Sequence, residues 1–328
     1  MTSQYHNRIL PIHEISTLTL RDVCHKEGSE QFTDLEFSRS TPVPNLLCKV
    51  REDREIQVEV EPSILPVHPQ GNAHIDVWID TTEQLGCGKT SLVYEVEKCE
   101  VTWSTDIAEH YTIPPIVLKV SRQSQSPTLP REAYYYEFLE KLQGLVIPYY
   151  FGCFHAVIPS GVCFPPWNET KTELANSLTE IDNPNIPRVV TLLILERLGD
   201  ERLPEGLNRS ESMELKNELQ YMVCEITARR NIVHNDIRYQ NVLKAPDSPP
   251  GLRGKNSSFT GRAKQPYNWR FIDLGDAQEA PNLSKHTHFL LWDGPIDRLW
   301  RNLGYVDANT CNTESETHGE YTEGEPEV

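Results

Sequence analysis

The residues that could do chemistry lie in one polar loop between two apolar runs, Ile232–Val233 and Val242–Leu243. The loop sets His234, Asp236 and Asn241 at H-x-D-x-x-x-x-N spacing. Transfer of a phosphoryl group needs residues of these types. A carboxylate orients the attacking hydroxyl and accepts its proton, and an amide oxygen helps to hold a metal ion. Asp236 and Asn241 would supply these groups. The bland alternative is a surface loop whose Asp and Asn make only turn bonds.

Other stretches carry polar residues in places where an ordinary core would have none. Ile116-Val117-Leu118-Lys119-Val120 is an apolar, strand-like run with a lysine inside it. A buried ammonium is costly unless paired, so Lys119 either has a carboxylate partner or lies on an edge strand facing water. The helical stretch Arg131 to Leu139 offers Glu132 and Glu137 as partners. Glu132 is preferred, because Tyr136 and Leu139 share its face and point where a core-facing helix needs apolar residues. Trp269-Arg270-Phe271-Ile272 then leads into Asp273-Leu274-Gly275, an apolar run ending in Asp-x-Gly. On its own this would be a strand followed by a turn.

Leu85 to Tyr94 is a glycine-bearing turn between two strand-like runs, with Gly86 and Gly88 in it. Gly88-Lys89-Thr90 matches the end of a phosphate-binding P-loop. That motif requires an earlier Gly where Glu83 stands, and a helix afterwards, whereas Leu92 to Val96 alternates like a strand. Short glycine turns are also common in plain hairpins.

The elements that must position these residues follow from periodicity. Ile75 to Ile79 alternates like a strand, Tyr149 to Ala156 reads as another, and Val189 to Leu195 is a buried strand leaving through Glu196-Arg197-Leu198-Gly199. Ser210 to Arg230 is a helix with Leu215, Leu219, Met222, Val223 and Ile226 as its apolar stripe. Ser210 or Ser212 can cap its start, and Arg229 and Arg230 suit its end. Pro295 to Leu303 reads as a short last helix with Leu299, Trp300 and Leu303 buried.

Composition bounds the class. The chain has 328 residues, 38% hydrophobic and 24% charged, which suits a globular protein. The formal charge of -17 argues against a general binder of nucleic acid or of anionic membranes. There is no apolar leader and no membrane-length run, so a cytoplasmic or nuclear protein is expected. The eight cysteines are scattered without a CxxC pair, as expected of reduced thiols. Residues 1–75, broken by Pro42, Pro44, Pro62, Pro66 and Pro69, read as a partly ordered N-terminal extension in which Ile56 to Val60 alternates like a strand. Residues 158–187 read as loop, and 245–268 as a flexible basic insert. From Asp307 onward there are seven acidic residues and no Lys or Arg, the pattern of a disordered tail at 306–328.

The order of these motifs, a glycine turn, a strand Lys, a helix Glu, a buried strand with a polar exit, a long helix, H-x-D-x-x-x-x-N and D-x-G, resembles the protein-kinase-like superfamily over about residues 80–280. Within it the chain is similar to kinase-like proteins abundant in fungi, through the Leu-Gln-Gly-x-x-Ile-Pro stretch from Leu142 to Pro148. The resemblance implies a two-lobed α+β fold. A β-rich N-lobe and hinge would occupy 76–198, and a mainly helical, shortened C-lobe 199–305. Lys119 would hold the α and β phosphates of ATP, with Glu132 orienting it. Gly86, Gly88, Ser91 (in place of a third glycine) and Val93 would form the loop over the nucleotide. Leu195 would be the gatekeeper. Glu196 and Leu198 would present the backbone groups that meet adenine. Asp236 would be the catalytic base, Arg238 would steady the transferred phosphate where the family usually has Lys, and Asn241 and Asp273 would bind Mg²⁺. His234 would pack beneath the Asp-Leu-Gly turn.

The sequence also departs from the family. Asn235 replaces the Arg that usually precedes the catalytic Asp, and Leu274 the usual Phe. No Ala-Pro-Glu motif appears, and 55 residues follow Asp273. The expected function is an ATP- and Mg²⁺-dependent phosphotransferase acting on a hydroxyl, with protein Ser/Thr first in line as acceptor. The alternatives are a pseudokinase serving as a nucleotide-binding or interaction module, and a small-molecule kinase. No nucleic-acid or membrane partner is expected.

Overall fold

A computed structural model describes residues 8–305 except 12, 27, 30, 45–46, 53, 60–63, 66, 68–70, 104–110, 123–127, 168–186, 247–266 and 280–284. The chain is mixed α/β, built on a strand-rich sheet, with three α-helices among the described residues. Seven strands of the eight-stranded sheet form a ring: β1 (Ile15–Lys26), β2 (Phe32–Arg39), β3 (Ala73–Cys87), β4 (Ser91–Thr102), β5 (Ile116–Ser121), β6 (Tyr150–Ile158) and β7 (Arg188–Glu196); the eighth, the short pair Val162–Cys163, lies against the end of β1 at His25 and Lys26. The seven run in the order β1-β2-β6-β7-β5-β4-β3, and β3 pairs back onto β1, so the sheet closes into a barrel. An odd ring cannot alternate strand direction all the way round. The parallel β1–β3 seam, with Leu18 opposite Ile75 and Leu20 opposite Val77, is where the mismatch falls.

This closure corrects the expectation for residues 1–75. Ile15–Lys26 and Phe32–Arg39 are barrel strands. Leu18, Leu20 and Phe37 are almost wholly buried among the residues that fill the barrel, with Ile75, Val77, Tyr94, Leu118, Val120, Phe154, Leu192 and Ile194. Closing the sheet also removes the exposed edges that an open one would present. Ile56 does lie in a strand, Arg54–Glu59, which pairs with Leu47–Glu52.

The site hangs on the two-residue period of the strands. In β5, Ile116, Leu118 and Val120 point into the barrel, whereas Val117 and Lys119 point out of it. In β7, Leu192 and Ile194 point in, and Leu193 and Leu195 point out. The outer face is covered by helix α1 (Thr128–Phe138), so both faces of these strands are buried and they read as continuous apolar runs. Lys119 is therefore not on an edge: β5 lies between β4 and β7, with Val93 and Leu193 as the cross-strand neighbours of Lys119.

Helix α1 leads through a 3-10 turn, Glu140–Leu142, into the Leu142 to Pro148 stretch, and the geometry there explains its residue types. Gln143 donates to Tyr136 O (2.9 Å) and accepts from Tyr150 N (3.2 Å), tying the helix end to β6. Gly144 has φ +70°, and a side chain there would run into the Tyr149 ring. Helix α2 (Arg209–Arg230) buries all five residues of its expected stripe. Its cap is Asn208 rather than Ser210 or Ser212. The Asn208 side chain accepts from Ser210 N and Glu211 N, and Glu211 reaches back to Asn208 N. The sequence places a serine nearer the stripe, but the chain turns helical one residue before Ser210. Helix α3 (Lys285–Asn302) begins well before the expected Pro295. Trp300 donates to Ser212 Oγ at 3.1 Å, and Lys216 meets Asp297 at 2.9 Å, joining α3 to α2. Leu299 and Trp300 are buried, and Leu303 is half-buried. Most of the basic insert and the whole acidic tail lie outside the described residues. Among the described residues no helix is long and apolar enough to cross a membrane.

Candidate active site

Two short strand pairs build the polar loops. Strand β8 (Ile232–His234) pairs with β11 (Ala277–Glu279), and β9 (Val242–Lys244) pairs with β10 (Trp269–Phe271). The loops 235–241 and 272–276 are thereby laid side by side, joined by Ile272 N donating to Asn241 O (3.0 Å) and Asn235 Nδ2 donating to Asp276 O (2.9 Å). The Leu142 to Pro148 stretch holds the second loop from behind. Phe271 N donates to Val146 O (2.8 Å), and the buried Arg270 guanidinium donates to the carbonyls of Tyr267, Trp269 and Gly144. Burial lowers the pKa of Arg270, and Glu196, the first of its charged neighbours, pulls it back. Sequence reasoning gave Arg270 no role; a long cation between two large apolar residues was the available signal.

Lys119 joins the barrel to these loops. Its Nζ lies 2.6 Å from Glu132 Oε2 and 2.7 Å from Asp273 Oδ1. Glu132 is thus the helix partner. Glu137 instead accepts from Tyr150 Oη at 3.2 Å and lies 3.8 Å from Arg39 at the end of β2. Burial works against the charge on Lys119, but Glu132 and Asp273 outweigh it and raise its pKa above the ordinary lysine value. Burial also works against the Asp273 charge, and there Lys119 prevails and holds the carboxyl below its usual range. For Glu132, the deeper of the two carboxylates, burial wins over Lys119 and pushes the pKa up. Asp273 has a left-handed backbone, φ 62° and ψ 66°, uncommon for a residue with a side chain.

In the facing loop Asp236 is held from two directions. Asn241 Nδ2 donates to Asp236 O (2.9 Å) and Oδ2 (2.8 Å), and Arg238 Nη2 lies 2.7 Å from the same Oδ2. Both the cationic and the amide contact fall on one carboxylate oxygen, Oδ2, and Oδ1 lies outside them. Because the Asn241 amide nitrogen faces Asp236, its oxygen is the atom available to a cation. His234 lies beneath, edge-on to Phe271 at 5.9 Å. Asp236 N donates to its Nδ1 (3.3 Å) and Nε2 meets Ile272 O (3.0 Å), which assigns the proton of the neutral ring to Nε2. Burial lowers the His234 pKa, in keeping with a neutral ring that joins the two loops.

The glycine turn closes by Gly88 N donating to Ser91 O (2.8 Å), and strand β4 follows it, not a helix. Neither Gly86 nor Gly88 has positive φ, so their use there is smallness rather than backbone freedom. Ser91 is buried and takes part through its backbone, while Val93 is half-buried beside Lys119. Arg122 donates to Gly88 O (2.9 Å) and to Cys87 Sγ (3.0 Å), fastening the turn to the end of β5. At the exit of β7, Leu195, Glu196 and Leu198 are buried. The Glu196 carboxylate accepts from Tyr149 N (3.0 Å), and Arg197 N donates to Pro115 O (2.8 Å).

Among the described residues, no three His, Cys, Asp or Glu side chains gather as a metal cluster. The oxygen donors at hand are the Asp273 carboxylate and the Asn241 amide. Such a sparse, hard set fits a Mg²⁺ ion whose remaining ligands are water and substrate phosphates.

No family model matches this sequence, and no curated protein matches it. Among solved structures 356 chains match. One, titled crystal structure of BubR1 kinase domain, is 13% identical, with a TM-score of 0.34 over 75% of this chain and 54% of that chain. This chain thus spans about half the length of that one. The likeness to that kinase domain is weak. The closed barrel also sets the chain apart from an ordinary kinase N-lobe.

Proposed function

We propose that the chain is an ATP- and Mg²⁺-dependent phosphotransferase of kinase-like design, moving the γ-phosphoryl group to a hydroxyl. The observation that carries this reading is Lys119, buried and held between Glu132 and Asp273 within 2.7 Å of each. A lysine poised this way, next to a loop with a base and an amide, suits the binding of a polyphosphate. When bound, ATP and Mg²⁺ supply the transferable group and neutralise its charge. The protein's part is position and electrostatics. Lys119 meets phosphate oxygens while Glu132 keeps it in place. Asp273 and Asn241 offer oxygens to the cation. Asp236 Oδ1 orients the acceptor hydroxyl and takes its proton, and Arg238 turns from Asp236 to the phosphoryl oxygens. Gly86, Gly88 and Val93 cover the nucleotide, and the backbone at Glu196 and Leu198 meets the base. Peptide Ser/Thr hydroxyls are the first acceptor class, and small hydroxylated metabolites the next.

A second reading, a nucleotide-binding interaction module without turnover, is favoured by the Arg238–Asp236 pair, which engages the base itself. The test is transfer from labelled ATP to a panel of peptides and metabolites. Wild type should label an acceptor, and Asp236→Asn should not. If wild type binds ATP yet labels nothing, the second reading stands.

A further inference from the structure

Three consecutive tyrosines, Tyr134 to Tyr136, stand in α1, and all three are buried. The first reaches out of the helix: Tyr134 Oη donates to Glu279 Oε1 at 2.5 Å. A hydroxyl bond this short to a carboxylate belongs to the charge-assisted class. The Tyr134 ring stacks on Phe138, one turn along, at 6.1 Å with 8° between the planes. A phenylalanine would keep that stacking, so the hydroxyl serves the bond and not the packing. Glu279 ends β11, the strand that follows the Asp273-Leu274-Gly275 turn, and it pairs with Ile232 at the start of β8, which leads into the Asp236 loop. Glu132, two residues before Tyr134, meets Lys119 at 2.6 Å and lies against Gly275, where an added Cβ would come within 4.0 Å of Oε2. Residues two apart on a helix are separated by about 200° around its axis. The two contacts therefore leave α1 on nearly opposite sides, and together they fix its rotation, which neither does alone.

We propose that Tyr134 is a positioning residue: its bond to Glu279 sets the rotation of α1 and so holds Glu132 on Lys119. A turn of the helix that carried Glu132 off the lysine would have to break the Tyr134–Glu279 bond as well. The same bond ties α1 to β11, so the helix keeps its place relative to the Asp273 turn. What this position is for rests on the phosphotransferase reading; the tie itself needs no nucleotide.

The test is a double-mutant cycle in denaturant unfolding of the full, unliganded chain. Tyr134→Phe should raise the unfolding constant about tenfold in the wild-type background, and only about twofold in Lys119→Met/Glu132→Leu, where no ion pair is left to hold. Equal factors in the two backgrounds overturn the proposal, because a bond that only adds stability is additive. No effect in the wild-type background overturns it too. A second readout is transfer from saturating ATP. Tyr134→Phe and Glu279→Leu should each lower it about tenfold, whereas Glu279→Gln, which still offers the hydroxyl an oxygen, should keep about half or more. Tyr305→Phe, which loses a hydroxyl bonded to Pro204 O at 2.8 Å, is the control and should transfer as wild type does. Full transfer in Tyr134→Phe overturns the positioning role, and so does equal loss in the two Glu279 variants. A wild type that transfers nothing sinks the phosphotransferase reading alone, and the unfolding cycle then decides the tie.

Discussion

Lys119 and Asp273 are 154 positions apart in sequence and 2.7 Å apart in space. One belongs to a central barrel strand, the other to a turn between two short strand pairs. Their contact is the link between the barrel and the polar loops, with Glu132 as its third member.

Breaking that link should cost stability as well as function. Lys119→Met leaves Glu132 buried without its cation, and losing one partner of a buried pair destabilises by about 3–5 kcal/mol. Denaturant unfolding of Lys119→Met should show a loss of this size. The double variant Lys119→Met/Glu132→Leu should recover part of it, because the orphaned carboxylate is gone. A single variant as stable as wild type would mean the pair is not formed.

Asp236 should be separable from binding. Asp236→Asn keeps the shape and the Asn241 contact but cannot take a proton, so transfer should fall by about a thousandfold, within the range a positioned base supplies. ATP affinity measured by calorimetry should stay within about twofold, because Asp236 does not touch the nucleotide phosphates in this account. Arg238→Lys should retain more transfer than Arg238→Ala, in keeping with a contact made by charge.

The pH dependence of stability has a definite sign. Asp273 is held below its ordinary value, so its contribution is present above the unfolded-state value, about 3.9, and is lost as pH falls through the lower folded value. Lys119 is raised, so its contribution is present below about 10.4 and lost as pH rises through the higher folded value. Glu132, also raised, gives most below about 4.3 and opposes folding above it. Asp273→Asn should therefore flatten the acid limb of a plot of melting temperature against pH, below about 4. An acid limb of unchanged slope would contradict the assignment.

The N-terminal strands should be indispensable. Phe37 is 1% exposed in the barrel core, and Phe37→Ala should destabilise by about 3–5 kcal/mol. Removing residues 1–40 should leave a chain without a cooperative thermal transition, because Leu18, Leu20 and Phe37 leave the core together. A truncated chain melting like wild type would show the barrel closure to be dispensable.

What the sequence discloses is mostly local. The H-x-D-x-x-x-x-N and Asp-x-Gly spacings, the lysine in an apolar strand and the stripe of α2 each lie within a few residues, and the structure brings Lys119, Glu132 and Asp273 into contact. The choice of Glu132 over Glu137 followed from one helix face, and the ion pair agrees with it. Barrel closure was not legible, because β1 pairs with β3 more than fifty positions away, and no local pattern distinguishes a closing strand from an ordered extension. The central place of Lys119 was hidden for the same reason: edge or centre depends on both neighbours. Asn208 caps α2 although two serines stand nearer its apolar stripe, so residue type alone does not pick the cap.

The measurement that bears most directly on the central claim is ATP binding by calorimetry, with and without Mg²⁺, on wild type and Asp273→Ala. Wild type should bind ATP more tightly with Mg²⁺ than without, and Asp273→Ala should lose that strengthening. A wild type that binds no ATP, or a variant that responds to Mg²⁺ as wild type does, would contradict that claim.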